Sequence, residues 1–152
     1  MKRRYVSFAL ADGRFCLPVE QVLQIIRREG VIDIPKPPPY VEGVINLRGD
    51  IIPVVNLRAR LEVSSGERGE RREPDPRKRR VVIAKLETRL YGLDVDEVRD
   101  IVEIEEESIA AEATELFGSR AEFVAGIART EAGVFLLLDL PRVLGTGLPG
   151  KT

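Results

Sequence analysis

The sequence predicts an all-β protein with short helical turns, built as two copies of one small barrel of about five strands that share a core. Three observations carry this. Short runs rich in Val, Ile, Leu, Phe and Tyr are separated by turn residues along most of the chain. The chain also repeats itself. "FCLPVEQVLQIIR" (Phe15 to Arg27) lies over "YGLDVDEVRDIVE" (Tyr91 to Glu103), with Leu17/Leu93, Val19/Val95, Val22/Val98 and Ile25/Ile101 identical. "YVEGVINLRGDIIPVVNLRARL" (Tyr40 to Leu61) lies over "FVAGIARTEAGVFLLLDLPRVL" (Phe123 to Leu144) without a gap, and "YVSFAL" fits "VVIAKL" in the same way. Finally, each copy has about 60 residues, too few to bury a flat sandwich. Curling the sheet removes its edges, and packing the two copies together enlarges a core that would be marginal alone.

Taken in order, Tyr5 to Leu10 alternates as a strand, Asp12-Gly13 makes a tight turn, and Phe15 to Leu17 is a second short strand. Pro18 opens a helical turn, where its missing N–H costs nothing. Pro18 to Arg27 fits either one amphipathic helix or a single turn followed by a strand, and periodicity admits both. Ile34 to Tyr40, with four prolines, is a stiff extended connector. Gly43 to Leu61 reads as a hairpin kinked at Arg48-Gly49-Asp50, and Pro53 predicts that its second arm is an edge strand or locally broken.

Residues 64–80 form a polar, arginine-rich loop. Val81 to Leu86 and Leu90 to Leu93 are strands. Asp94 with Glu97 suggests a capping box and a helical turn. Glu103 to Glu115 is expected to be irregular or weakly helical. Phe123 to Arg129 and Val134 to Leu140 make a second hairpin, Pro141 to Leu144 a terminal turn, and residues 145–152 a mobile tail. The expected core is Phe8, Leu17, Ile45, Leu47, Ile52, Val54, Val82, Leu93, Phe123, Leu136 and Leu138. The whole reads as one domain over 1–152. Its subdomains fall roughly at 14–63 and at 1–10 plus 81–144, with strand exchange between them left open.

Composition excludes several functions. With 24 basic against 25 acidic residues the net charge is −1, which speaks against a nucleic-acid binder. No apolar run approaches the ~20 residues of a membrane span, and the N-terminus lacks the pattern of a signal peptide, so a cytoplasmic location is expected. There is no histidine, hence no serine–histidine or cysteine–histidine nucleophile system. The single cysteine, Cys16, lies between Phe15 and Leu17 and reads as a small buried apolar residue. Neither GxxxxGK[ST] nor GxGxxG occurs, and the consecutive acids of Glu103 to Glu107 do not converge on one point. No catalytic, metal or cofactor site is expected. The pattern is that of a protein that binds proteins.

"PPPYVEGVINLRGDIIPVVNLRARL", "YGLDVDEVRDIVEI" and "EFVAGIARTEAGVFLLLDLPRVL" together closely resemble the CheW family of bacterial chemotaxis coupling proteins. The resemblance runs from about Tyr5 to Leu144, and Gly43 to Gly49 is its most specific part. It implies two SH3-like barrels around a common core. It also implies a non-catalytic scaffold, monomeric alone, that joins the cytoplasmic tips of chemoreceptors to the regulatory domain of the chemotaxis histidine kinase in receptor arrays. A coupling protein of another chemosensory circuit, serving other motility or gene expression, is the alternative.

By matched position the resemblance assigns partner binding to Val22, Gln24, Gly43, Arg48, Gly92, Val98 and Ile101. Two departures stand out. Gln24 occupies a place where one branch of the family has an acid, and Asn56 replaces an aspartate common after the "PVV" run. Within the chain, Glu131 aligns with Arg48 and Ala132 with Gly49. The arginine is therefore not demanded by the repeated frame.

Overall fold

Each run of alternating apolar residues becomes a strand. The computed structural model describes residues 1–61, 75–110 and 122–145. The first copy holds β1 (Lys2–Leu10), β2 (Gly13–Pro18), a 3-10 turn (Val19–Gln21), β3 (Val22–Arg27), β4 (Val41–Leu47), β5 (Asp50–Asn56) and the short helix α1 (Leu57–Arg60). The second holds β6 (Arg80–Leu86), β7 (Arg89–Val95), β8 (Glu97–Glu105), a 3-10 turn (Glu106–Ser108), β9 (Ile109–Ala110), β10 (Val124–Thr130), β11 (Gly133–Leu138) and α2 (Leu140–Leu144). Of the two readings of Pro18 to Arg27, the turn followed by a strand is the one adopted.

The copies exchange strands. One sheet runs β8-β1-β2-β11-β10-β9 and the other β3-β6-β7-β5-β4. Each sheet thus takes the first two strands of one copy and the later strands of the other, four in the first sheet and three in the second, giving two SH3-like subdomains. This corrects the expected boundaries, because β2 stands with β1 and not with β3, while β6 and β7 join β3 to β5.

The repeat holds down to its irregularities. The parallel pair Leu137↔Cys16 in the first sheet has its counterpart in Val54↔Gly92 in the second. A bulge in β8 between Val98 and Ile101, opposite β1, recurs in β3 between Val22 and Gln24, opposite β6. A bulge at Val124/Gly126 recurs at Val41/Gly43.

Alternation along the strands builds three apolar layers. Phe8 and Leu17 from the first sheet meet Val82 and Leu93 from the second in one shared core, closed by Leu57 of α1 and Leu140 of α2. The opposite faces fill each barrel separately, with Tyr5, Cys16 and Phe135 in one and Ile52, Val54 and Ile83 in the other. Burying side chains of this size contributes about 1.5–3 kcal/mol each. Nine of the eleven expected core residues are buried; Leu47 and Leu136 are half-buried and pack against these layers. Burial pushes the Cys16 thiol up to about 12, so it stays protonated and acts as a small apolar residue.

Three further expectations are corrected. Asp94 and Glu97 do not start a helical turn, because Asp94 belongs to β7 and Glu97 opens β8. The Asp94 carboxylate accepts from Arg28 and Arg79 and is not available as a cap. The Pro53 arm is not an edge strand, since β5 lies between β4 and β7. Pairing with β7 begins only at Val54, so the proline falls where β5 has a single neighbour and its missing N–H leaves no ladder gap. Glu103 to Glu105 complete β8 in place of irregular chain. Most of the polar loop, residues 62–74, lies outside the described residues, as do 111–121 and the tail from 146.

The helices are capped alike. Asn56 Oδ1 accepts from Ala59 N at 3.1 Å, and Asp139 Oδ1 accepts from Arg142 N at 3.2 Å. Asn and Asp serve equally as N-caps, which explains why Asn56 is tolerated. Arg60 then ties the copies together. Its guanidinium lies 5.0 Å from the Tyr40 ring and 4.8 Å from the Phe123 ring, two residues equivalent in the repeat. Its Nε donates to the Val143 carbonyl at 2.7 Å.

Candidate functional site

The seven residues assigned to partner binding fall into three groups. Gly43 and Gly92 are buried backbone necessities. A Cβ at Gly43 would stand 2.3 Å from the Ile32 carbonyl oxygen, and one at Gly92 would stand 2.8 Å from Val81 Cγ1. Gly43 lets residue 32 bridge to Val44 across the edge of β4. Gly92 lets β7 lie close to its neighbours. Neither presents a side chain or an open surface to a partner.

Val22 and Gln24 on β3, with Val98 and Ile101 on β8, form the second group. β3 and β8 are the equivalent outer strands of the two sheets. Val22 and Val98 are half-buried and pack on the shared core from opposite sheets. Gln24 is half-buried beside the β3 bulge. Ile101 is 53% exposed. The same strands expose residues that the sequence reading passed over. Leu23 is 57% exposed, and Ile25, the repeat partner of Ile101, is 39% exposed. The identity of Ile25 and Ile101 in the alignment was the available signal. Large apolar side chains on unpaired strand edges are the material of protein interfaces.

Arg48 stands alone as the third. Leu47 pairs with Asp50, so Arg48 and Gly49 form a two-residue turn. Their φ values are +53° and +89°, the left-handed pair of a type I′ hairpin turn. Gly49 N donates to Asn46 Oδ1 at 2.9 Å and stiffens the tip from its own strand. The Arg48 guanidinium is exposed and has no ion pair or hydrogen bond among the described residues. Ile51, 45% exposed, follows two residues after the turn.

The second-copy tip differs. Thr130 Oγ1 accepts from Ala132 N at 3.1 Å, and Arg14 of β2 donates to the Ala132 carbonyl. That tip is tied to a neighbouring strand and carries Glu131 in place of the arginine. Among the described residues no helix is long and apolar enough to cross a membrane.

Comparison with known proteins matches residues 4–147 to the model of the CheW-like domain. The chemotaxis protein CheW of Rhizobium meliloti (strain 1021) is 31% identical over 142 residues, which is 93% of this chain and 86% of that protein. The chemotaxis protein CheW of Thermotoga maritima is 27% identical over 140 residues, 91% of this chain and 85% of that one. Among solved structures, the crystal structure of the scaffolding protein TtCheW from Thermoanaerobacter tengcongensis superposes with a TM-score of 0.83 at 29% identity. It covers 99% of this chain and 92% of that one.

Proposed function

The chain belongs to the CheW-like domain family, a family of chemotaxis scaffold proteins, and from that premise we propose that it is a non-catalytic adaptor. It joins the cytoplasmic tips of chemoreceptors to the regulatory domain of a chemotaxis histidine kinase, so that kinase output follows receptor state. It works in the cytoplasm, held in receptor arrays by its partners.

The observation that supports this most is the Arg48 tip. A solvent-exposed arginine sits at the end of a rigid hairpin, with no partner of its own among the described residues and no counterpart in the second copy. Arginine is favoured at protein interfaces, where its planar fork binds carboxylates and stacks on aromatic rings. The exposed Ile25 and Ile101 on the outer strands supply the apolar surface a helical or edge-strand partner would cover.

The test is reconstitution. Receptor-tip fragments, kinase and this chain are mixed, and kinase autophosphorylation is followed with and without receptor. The expected result is receptor-dependent stimulation that needs the chain. Ile101→Asp is expected to weaken partner binding at least about tenfold, or ~1.4 kcal/mol, with the fold intact by circular dichroism. If wild-type chain binds neither the kinase regulatory domain nor the receptor tip, the adaptor reading is wrong.

A further inference from the structure

Four charged side chains meet at one end of the second sheet. Asp94 of β7 has a side chain only 3% exposed. Its Oδ2 accepts from Arg28 Nε at 2.8 Å and from Arg79. Arg28 Nη2 also reaches Glu42 Oε2 at 3.1 Å, and Arg79 Nη2 lies 3.9 Å from Glu42 Oε1. Arg28 follows β3, Glu42 lies in β4, Arg79 precedes β6 and Asp94 lies in β7, so the cluster draws four parts of the chain together.

The cluster is incompletely satisfied. Both arginine bonds use Oδ2, and Asp94 Oδ1 is buried with no donor; Arg79 Nε is buried with no acceptor. Arg28 and Arg79 each contact both acids, so the Glu42 and Asp94 carboxyls lie against the same pair of guanidinium groups. Two carboxylates cannot bond each other, but a protonated carboxyl donates to a carboxylate. A proton on Glu42 therefore lets the two carboxyls bond instead of repelling each other.

The second copy closes without this cluster. Ala125 aligns with Glu42, Ile104 with Arg28 and Pro18 with Asp94; only Arg79 keeps a charged counterpart, Arg3, which pairs with the exposed Glu20 and Glu106. There β9 pairs with β10 through Ile127↔Ala110 and Ala128↔Ile109. In the first copy residues 28–34 take that place, with Ile32 and Val44 exchanging backbone bonds at 2.7 and 2.9 Å. The fold covers this edge without a charge cluster in one copy, so the cluster is an addition in the other.

We propose that Glu42 holds a proton against the Asp94 carboxylate, and that this proton fastens residues 28–34 over the open edge of β4. Loss of the proton to solvent leaves two adjacent carboxylates at the clasp and loosens the strap. Burial and the neighbouring Asp94 push Glu42 up to about 7, against the opposing pull of Arg28. The sign follows. Glu42 holds its proton more tightly in the closed form than in the open one. The added stability is complete below the ordinary carboxylate range and is lost as pH rises through about 7. The chain has no histidine to obscure this. The N-terminal ammonium is raised from 8.0, chiefly by its bond to Glu107, and titrates above the window.

Two measurements on the whole chain decide. Carboxyl carbon-13 NMR of the wild type should show one glutamate titrating near 7, assigned by its absence in Glu42→Gln. Amide exchange at Ile32 and Val44, divided by that at the equivalent β9–β10 pair, cancels the intrinsic effect of pH. That protection ratio should fall about tenfold from pH 6 to pH 8, the factor that follows if Glu42 returns to the ordinary carboxylate range on opening. Glu42→Gln, whose amide donates at every pH, should hold the ratio constant. A Glu42 midpoint near 4.5, or a wild-type ratio that does not change, overturns the proposal even if the variant fails to fold.

Discussion

The two hairpin tips occupy equivalent places in two copies of one unit, and only the second is fastened from outside. Arg48-Gly49 is held by Asn46 of its own strand, while Glu131-Ala132 is held both by Thr130 and by Arg14 from a neighbouring strand. Behind each tip the frame is the same, with the same bulge, the same helix cap and the same glycine at Gly43 and Gly126. What recurs in both copies serves the fold. What appears in one is free to serve something else.

The glycines give the strongest way to break that division. A Cβ at Gly43 would meet a backbone oxygen at 2.3 Å, whereas one at Gly126 would meet Ile109 Cγ2 at 2.5 Å, a side-chain atom with more room to give. Gly43→Ala is expected to cost about 2–4 kcal/mol and Gly126→Ala about 1–2 kcal/mol, as in other overpacked sites. Urea denaturation of the two variants checks the order. Equal small costs would mean that the shared glycine is not required by the frame.

Arg60 comes next. It belongs to one copy only, since Val143 aligns with it, yet it works inside the fold by holding Tyr40, Phe123 and the Val143 carbonyl. Asymmetry alone therefore does not mark a binding residue; exposure and lack of partners must accompany it. Arg60→Ala should destabilise by about 1–2 kcal/mol through the lost ring contacts and carbonyl bonds, measured by the same denaturation. Arg48→Ala should change stability by no more than about 0.5 kcal/mol, because the side chain touches nothing that the fold uses. A large loss there would move Arg48 from the binding surface to the frame.

Much of this was legible from residues alone, because it rests on local rules. Alternation marked the strands and Arg48-Gly49-Asp50 marked the hairpin tip, but the helix Leu57–Arg60 was not read, because the hairpin reading carries on to Leu61. The exchange of strands was legible only in part: the sequence reading groups residues 1–10 with the second copy, but not β2 with them, nor β6 and β7 with the first copy. Phe15 to Leu17 sits nearer in sequence to β3 than to β11, and neighbours in sequence usually pair. Which copy receives β2 is decided by the shared core, where Phe15 and Leu17 meet residues more than 60 positions away. Asp94 was misread for a related reason. An acid three residues before Glu97 fits a capping box locally, but Arg28 and Arg79 arrive from distant segments and claim it. The glycines of the assigned site were found in sequence, yet their role is to allow close backbone approach. The exposure of Leu23 and Ile25 depends on β3 being an outer strand, which no spacing reveals.

The direct test of Arg48 as a partner residue is a paired affinity measurement. Arg48→Ala and Glu131→Ala are each titrated, by calorimetry, against the kinase regulatory domain and against the receptor-tip fragment. Arg48→Ala is expected to weaken one of these at least about tenfold, ~1.4 kcal/mol, while Glu131→Ala leaves both within about twofold. If both variants bind like the wild type, or if Glu131→Ala is the more damaging, the exposed arginine is a surface charge and the assignment fails.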